Sequence, residues 1–466
     1  MLTLDYETVA IDATSYPPAP VGVAVDTPSP TYHSWGHHDE SGSLVFIPHV
    51  AEMLCHNAIF DLAVGQAAKL LTLPARVHDT LILAFLLDPF DDLGLKPLAE
   101  KYLGMKPVER DAVRDWLIAQ GIVTKRDRKW GAHISDAPAA LVRPYAIGDV
   151  VRTRKLFDKL HPLVAKAGMR SAYDRECALL PMLLEMEQAG IPIAKARLKR
   201  DLAKYEIILS DVEHDIRRRL RAKDLDIDSN DSLADAIESR YSIKLPPTPT
   251  GRRSTAKGVL EESIPDAKVK ALLLYRSALA YSLGTFMRPW ARSGGTMHVH
   301  WNQVRGTSAR RDESGARTGR LSSEPNFQNI TKDPAKLLLK LHTLWRRDWT
   351  LPVVRSYIEA PRGWCLFGVD YNQQEWRLFA HFEDGPIAQA YRDNPSLDMH
   401  EFARATVSER AGIVLDRHTA KIVGFSKIYG AGAAKTAVQL GVDLDVARDV
   451  IDAYDTGLPS VRHMQR

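Results

Sequence analysis

Residues 2–8 read Leu-Thr-Leu-Asp-Tyr-Glu-Thr. Apolar and polar side chains alternate, the period of a β-strand with one buried face. The same period puts Asp5 and Glu7 on one face of that strand. Two carboxylates about 4 Å apart repel by ~4 kcal/mol at an effective dielectric of about 20. A strand with apolar flanks therefore keeps such a pair only beside a cation or at an exposed sheet edge.

Working outward, residues 20–26 (Pro-Val-Gly-Val-Ala-Val-Asp) predict a second strand. Residues 44–64 and 78–103 mix apolar runs with helical spacing, and the run from His78 to Asp88 predicts a buried helix. Residues 138–168 are again helical in pattern, so the first stretch of about 170 residues reads as an α/β domain. An amphipathic helix follows at 173–189, stopped by Gly190 and Pro192. Residues 195–223 predict a long charged helix with 10 basic and 5 acidic residues. Residues 246–258 form a turn-rich loop with an Arg252–Arg253 pair, and helix resumes near 266–290. From 297 short strands and loops lead to a predicted strand at Cys365–Asp370, and the remainder is mostly helical.

With 466 residues, 45% hydrophobic and 26% charged, the chain has the composition of a globular protein of several domains. Disordered and fibrous classes are excluded. Charges interrupt every apolar run before the ~20 residues that cross a bilayer, and the N-terminus lacks the pattern of a signal peptide. Cys55, Cys177 and Cys365 are far apart without a CxxC. Neither a disulfide framework nor a zinc site is expected, and a cytoplasmic location is. Residues 1–170 carry a net charge of −2 and the rest +6, which suits acids doing chemistry in the first part and phosphate contact in the second.

Two further signals join Asp5 and Glu7. Residues 56–61 read His-Asn-Ala-Ile-Phe-Asp, with Asn57 and Asp61 a helical turn apart, and residues 145–149 read Tyr-Ala-Ile-Gly-Asp. The ordered set DxE, NxxFD and YxxxD resembles the motifs of proofreading 3′–5′ exonucleases with the ribonuclease-H-like fold. The resemblance implies two Mg²⁺ ions, with Asp5, Glu7 and Asp149 holding one and Asp5 with Asp61 the other. Hard oxygen ligands suit this ion, and two metals can clamp the attacking and leaving oxygens. Tyr145 would orient the attacking water, and His56 is expected to pack rather than ligate.

In the C-terminal half, residues 318–330 read TGRLSSEPNFQNI, 370–377 read DYNQQEWR after LFGV, and 417–430 read RHTAKIVGFSKIYG. Arg417, Lys421, Phe425 and Tyr429, each four apart, drift along one helix face. Two cations followed by two rings fit a nucleoside triphosphate. These segments resemble the TGRLSS segment and motifs A and B of family A DNA polymerases, and the likeness spans essentially the whole chain. It implies a catalytic, metal-binding Asp370 at the end of a palm strand. Arg417 and Lys421 would grip the triphosphate, Phe425 would stack on base and sugar, and Glu375 with Tyr429 would close the ribose 2′ space. Arg320, Gln328, Asn329 and Arg377 would contact primer–template DNA.

The expected layout is an α/β exonuclease domain at 1–170, connecting helix and helical thumb at 171–296, an incomplete palm at 297–395 and incomplete fingers at 396–466. Ser426 replaces the usual Gly of motif B, Asn372 replaces the Ser of motif A, and a Leu/Lys/Trp-rich insert follows Ile330. Motif C, with the second catalytic Asp, does not occur by Arg466. The expectation is a family A polymerase with proofreading exonuclease, similar to short phage replicative enzymes and without room for a 5′ nuclease. It would use two ions in each site and act on primer–template DNA, single-stranded 3′ ends and dNTPs in the (host) cytoplasm, with no membrane partner. A second polypeptide would complete the palm. The alternative is a self-sufficient exonuclease whose polymerase remnant only binds primer–template; a non-catalytic DNA scaffold is disfavoured by the full carboxylate set.

Overall fold

The computed structural model describes the chain except residues 12–15, 28, 38, 40, 41, 128, 249, 250, 305–315, 413, 465 and 466. Two of these, 249 and 250, fall in the turn-rich loop expected at 246–258, and 305–315 fall in the stretch read as short strands and loops. The chain divides into two compact units, Met1–Cys365 and Leu366–Arg466.

The first unit opens with β1 (Leu2–Thr8), β2 (Pro20–Asp26) and β3 (Pro30–Ser34), followed by β4 (Glu52–Cys55), α1 (Ala58–Ala67), β5 (Arg76–Asp79) and α2 (Thr80–Leu87). Among the described residues these strands form one sheet in the order β3-β2-β1-β4-β5. β1 and β2 pair antiparallel, as do β2 and β3, whereas β4 runs parallel to both β1 and β5. The sequence pattern reads helix where β4 and β5 lie. Met53, Leu54, Cys55 and Val77 are buried, and a short strand covered on both faces shows no alternation that separates it from a buried helix.

Then come α3 (Leu95–Leu103), α4 (Val108–Ala119), α5 (Ala139–Lys166) and α6 (Arg170–Ala189). Leu2, Leu4 and Tyr6 face a core shared with α1, α2 and α6. On the other face, Ala24 and Tyr32 pack against Val142, Ala146 and Val150 of α5. The residues opposite Asp5 and Glu7 on β2 are Ala24 and Gly22. A Cβ on Gly22 would lie 2.2 Å from the Tyr32 hydroxyl, so glycine keeps that ring seated.

The helices α7 (Lys195–Leu220), α8 (Asn230–Tyr241), α9 (Lys257–Ser263), α10 (Ala267–Tyr281) and α11 (Arg288–Arg292) follow, with a π-helical turn at Ser282–Met287 joining the last two. The insert after Ile330 forms α12 (Ala335–Leu344), and Leu341, Trp349 and Leu351 pack into the same core as α7 and α10. Trp349 stacks on Tyr275 at 4.6 Å.

The second unit is helical: α13 (Gln374–Glu383), α14 (Pro386–Asp393), α15 (Met399–Ala411), α16 (Arg417–Ile428), α17 (Ala433–Leu440), α18 (Leu444–Gly457) and α19 (Pro459–Met464). Trp376, Val423 and Tyr454 lie in its core. A Cβ on Gly424 would meet Trp376 and the Tyr454 hydroxyl at 2.8 Å, so α16 approaches its neighbours through a bare backbone. The strand predicted at Cys365–Asp370 is not formed: residues 365–370 are irregular and exposed. A strand holds only with a hydrogen-bonded neighbour, and the described residues supply none to this segment.

Candidate functional site

Asp5, Glu7 and Asp149 offer carboxylate oxygens that all lie within 4.8 Å of one another. Asp5 and Glu7 come from β1, and Asp149 comes from α5, which crosses that face of the sheet. Tyr145 precedes Asp149 by a helical turn on α5. Asp61, 1% exposed, stands in the first turn of α1 and accepts from the Tyr6 backbone N–H at 2.9 Å. The DxE, NxxFD and YxxxD residues thus converge, with Asn57 as the left-handed N-cap of α1 at φ 69° rather than a helix-face partner of Asp61.

The pair of capping oxygens that fixes α1 comes from a residue the sequence reading passed over. Asp79 at the end of β5 accepts from the N–H groups of Asn57 at 3.0 Å, Ala58 at 2.7 Å and Leu81 at 2.8 Å. One carboxylate therefore caps α1 and α2 together. Burial lifts its pKa to about 6 against the pull of those donors. His56 packs as expected: Nε2–H donates to the Leu93 carbonyl at 3.0 Å, and Nδ1 meets the Thr80 hydroxyl at 2.8 Å. Burial lowers its pKa to about 4, which keeps it neutral.

Two buried cations at the carboxylates were also not anticipated. Lys96 on α3 pairs with Asp149 and lies 4.0 Å from the centre of the Tyr145 ring. Arg152 on α5 pairs with Glu109 and reaches Asp149 at 3.5 Å. Arg152 follows Asp149 by three residues on α5, a spacing the sequence does carry; only the crossing of α3 and α5 brings Lys96 in.

The donor set fits a divalent cation. An oxygen of Glu7 is buried without a hydrogen-bond partner, and one of Asp149 has only the Arg152 guanidinium at 3.5 Å, a costly arrangement for the Glu7 carboxylate unless a cation takes it up. Burial, then the charge of Asp149, raises Asp5 to about 7 against the opposing pull of Lys96. Burial and the neighbouring acids also push Glu7 and Asp61 well up. An all-oxygen cluster of this kind suits a hard ion.

In the second unit, α16 is capped by Asp416, which accepts from His418 and Thr419. Lys421, Phe425 and Tyr429 line one cleft of about 470 Å³ with Ser426, Lys435 and Gln439. The Tyr429 hydroxyl donates to Glu375, and Ser426 donates to Gln439. Arg417 lies outside this lining, held by Asp398 at 2.6 Å. Lys435, and His400 whose ring stands 5.4 Å from that of Phe425, are additions the spacing of α16 did not reveal.

Asp370 is exposed and belongs to no acid cluster among the described residues. Arg377 donates to the Asn372 carbonyl at 2.9 Å and lies 4.7 Å from the Tyr391 ring. Gln328 donates to the Leu321 carbonyl at 3.0 Å, and Arg320 and Asn329 are exposed.

Comparison with known proteins separates the acid cluster from the rest of the chain. The model for DNA polymerase family A matches residues 195–466, and that for 3'-5' exonuclease matches residues 5–165. DNA polymerase I of Rhizobium leguminosarum is 29% identical over 82% of this chain and 35% of its own length. DNA polymerase I of Pseudomonas aeruginosa is 27% identical over 100% of this chain and 50% of its own length. The chain thus spans half or less of these relatives. Among solved structures, the POL domain of Pol1 from M. smegmatis, in complex with DNA primer-template and dNTP, superposes with a TM-score of 0.68 at 18% identity, covering 99% of this chain and 73% of that one. This likeness is one of fold.

Proposed function

The chain belongs to DNA polymerase family A, and from that premise we propose that it removes nucleotides from DNA 3′ ends in its first domain and binds primer–template and dNTP through the rest. The observation that carries the exonuclease reading is the convergence of Asp5, Glu7 and Asp149 within 4.8 Å. The first domain is read as ribonuclease-H-like over 1–170, followed by thumb at 171–296, palm at 297–395 and fingers at 396–466.

Asp5, Glu7, Asp61 and Asp149 would hold two Mg²⁺ ions. Bound there, the ions would supply activation of a water and charge stabilisation at the leaving oxygen. The chain's own residues do the positioning. Tyr6 N–H aims Asp61, Asp79 anchors the start of α1, and α5 presents Tyr145 beside the phosphate to be cleaved. Burial keeps the Tyr145 hydroxyl protonated, so it serves as donor and acceptor to a water rather than as a base.

For the polymerase half, Lys421 and Lys435 would meet the triphosphate, Phe425 would stack on the nucleotide, and Glu375 with Tyr429 would exclude a 2′-OH. Arg417 would join once released from Asp398. Arg320, Gln328, Asn329 and Arg377 are proposed to contact DNA, and Asp370 to hold the polymerase metals. A cytoplasmic site of action is part of this reading; among the described residues no helix is long and apolar enough to cross a membrane.

Primer extension would require strands beside residues 365–370 that also bring a second carboxylate to Asp370. A second reading, an exonuclease with a polymerase module that only binds DNA, draws on the same exposed segment. Degradation of a 3′-labelled single strand with Mg²⁺, abolished in Asp5→Ala, is the test of the exonuclease; a wild-type chain that binds this strand but leaves it intact points to a scaffold.

A further inference from the structure

Lys96 occupies an unfavourable place unless it has work to do there. It is the second residue of α3, where the helix dipole disfavours a cation. Its side chain is 14% exposed, and burying an ammonium costs free energy unless acids surround it. The surrounding acids are those of the exonuclease site: it pairs with Asp149, stands 4.0 Å from the centre of the Tyr145 ring, and lies in the field of Asp5 and Glu7.

The contrast with Arg152 is informative. That guanidinium is 3% exposed, donates to the Lys106 carbonyl and forms ion pairs with Glu109 and Asp149, so it is enclosed by protein. Lys96 has an open side. It lines a cleft of about 390 Å³ together with Glu100, Lys106, Arg110 and Asp111, so three cations there face two acids. Its flexible stem can swing from Asp149 toward that cleft by rotamer change alone.

We propose that Lys96 is a working residue of the exonuclease site: in the metal-free protein its ammonium stands in for a cation on Asp149, and when a divalent ion takes Asp149 it moves to the phosphodiester of a 3′-terminal nucleotide entering by the adjoining cleft. The inference rests on the exonuclease reading above. It makes two effects of one side chain opposite in sign. Lys96 competes with the metal for Asp149, yet assists hydrolysis by neutralising the phosphate. A purely structural ion pair would move both quantities in the same direction.

The experiment measures Mn²⁺ binding by calorimetry and single-turnover hydrolysis of a 3′-labelled oligonucleotide at saturating Mn²⁺, for wild type, Lys96→Met and Lys96→Arg. Lys96→Met is expected to bind Mn²⁺ at least about threefold more tightly while its hydrolysis rate falls about 100-fold. Lys96→Arg is expected to recover hydrolysis to within about tenfold of wild type. Hydrolysis unchanged in Lys96→Met, or Mn²⁺ binding weakened along with the rate, would overturn the proposal. If Lys96→Met does not fold, Lys96→Gln takes its place in both measurements. A wild-type chain that hydrolyses nothing defeats the exonuclease reading instead, and the Mn²⁺ arm still decides whether Lys96 competes for the carboxylates.

Discussion

The backbone N–H of Tyr6 donates to the Asp61 carboxylate at 2.9 Å. Tyr6 lies between Asp5 and Glu7 on β1, so this one hydrogen bond ties the strand that carries two acids to the helix that carries the third. Asp5→Ala and Asp61→Ala are each expected to lower single-strand hydrolysis by several orders of magnitude while DNA binding stays near wild type. Asp61→Asn retains an acceptor for Tyr6, so it should lose hydrolysis with less loss of stability than Asp61→Ala, which orphans a buried donor at about 1–3 kcal/mol. A variant keeping a tenth of the activity would sink the assignment.

Asp79 touches no part of the acid cluster in the structure, yet it caps two helices. Asp79→Ala leaves the N–H groups of Asn57, Ala58 and Leu81 without this acceptor. It should cost about 2 kcal/mol or more in unfolding free energy, and hydrolysis should fall because the start of α1, and with it Asp61, loosens. Denaturant unfolding checks the first effect; an unchanged midpoint would refute the capping role.

Metal and pH act together on the same acids. Asp5 is raised from its ordinary 3.8 to about 7, and Glu7 and Asp61 shift the same way. Between those values the folded protein binds more protons than the unfolded chain, so metal-free stability should fall as pH rises from about 4 to about 7. Mg²⁺ or Mn²⁺ should therefore raise Tm more at about pH 8 than at about pH 5.5, since the ion and the proton compete for the same oxygens. Thermal melts with and without EDTA across this range test the sign. A metal increment that grows as pH falls would contradict it.

In whatever assembly polymerises, sugar selection should map to the cleft on α16. Glu375→Ala removes the acceptor of the Tyr429 hydroxyl and should admit more ribonucleotide. Phe425→Tyr adds a hydroxyl to the ring proposed to stack on the nucleotide and should relax discrimination against dideoxynucleotides. Incorporation ratios should shift about tenfold, equivalent to ~1.4 kcal/mol. Ratios unchanged in both variants would count against this placement of the nucleotide.

The segment around motif A supplies a further prediction. Trp364, Phe367 and Tyr371 are 76%, 87% and 75% exposed, an apolar run that a sheet would cover. The 466-residue chain is expected to degrade DNA without extending primers. Extension should appear when partner strands and a second carboxylate are supplied to this segment, with protection of amides 365–370 from hydrogen exchange. Robust extension by the chain alone, free of contaminating polymerase, would overturn this.

Much of this molecule follows from local pattern. Alternation in residues 2–8 and 20–26 sets β1 and β2, and the long helices at 139–166, 170–189 and 195–220 carry their own periodicity. The four acids and Tyr145 were legible because each motif is short and its spacing is that of one strand face or one helical turn. Tertiary structure decided the rest. β4 and β5 are buried on both faces, so their residues carry no period that marks them as strands. Residues 365–370 have strand composition and no strand, because a ladder needs a partner that local sequence cannot provide. Lys96 and Asp79 act on residues brought to them by the crossing of α3 with α5 and by the parallel pairing of β5 with β4. Long-range approach of this kind is a property of the packed chain, and no spacing within either segment announces it.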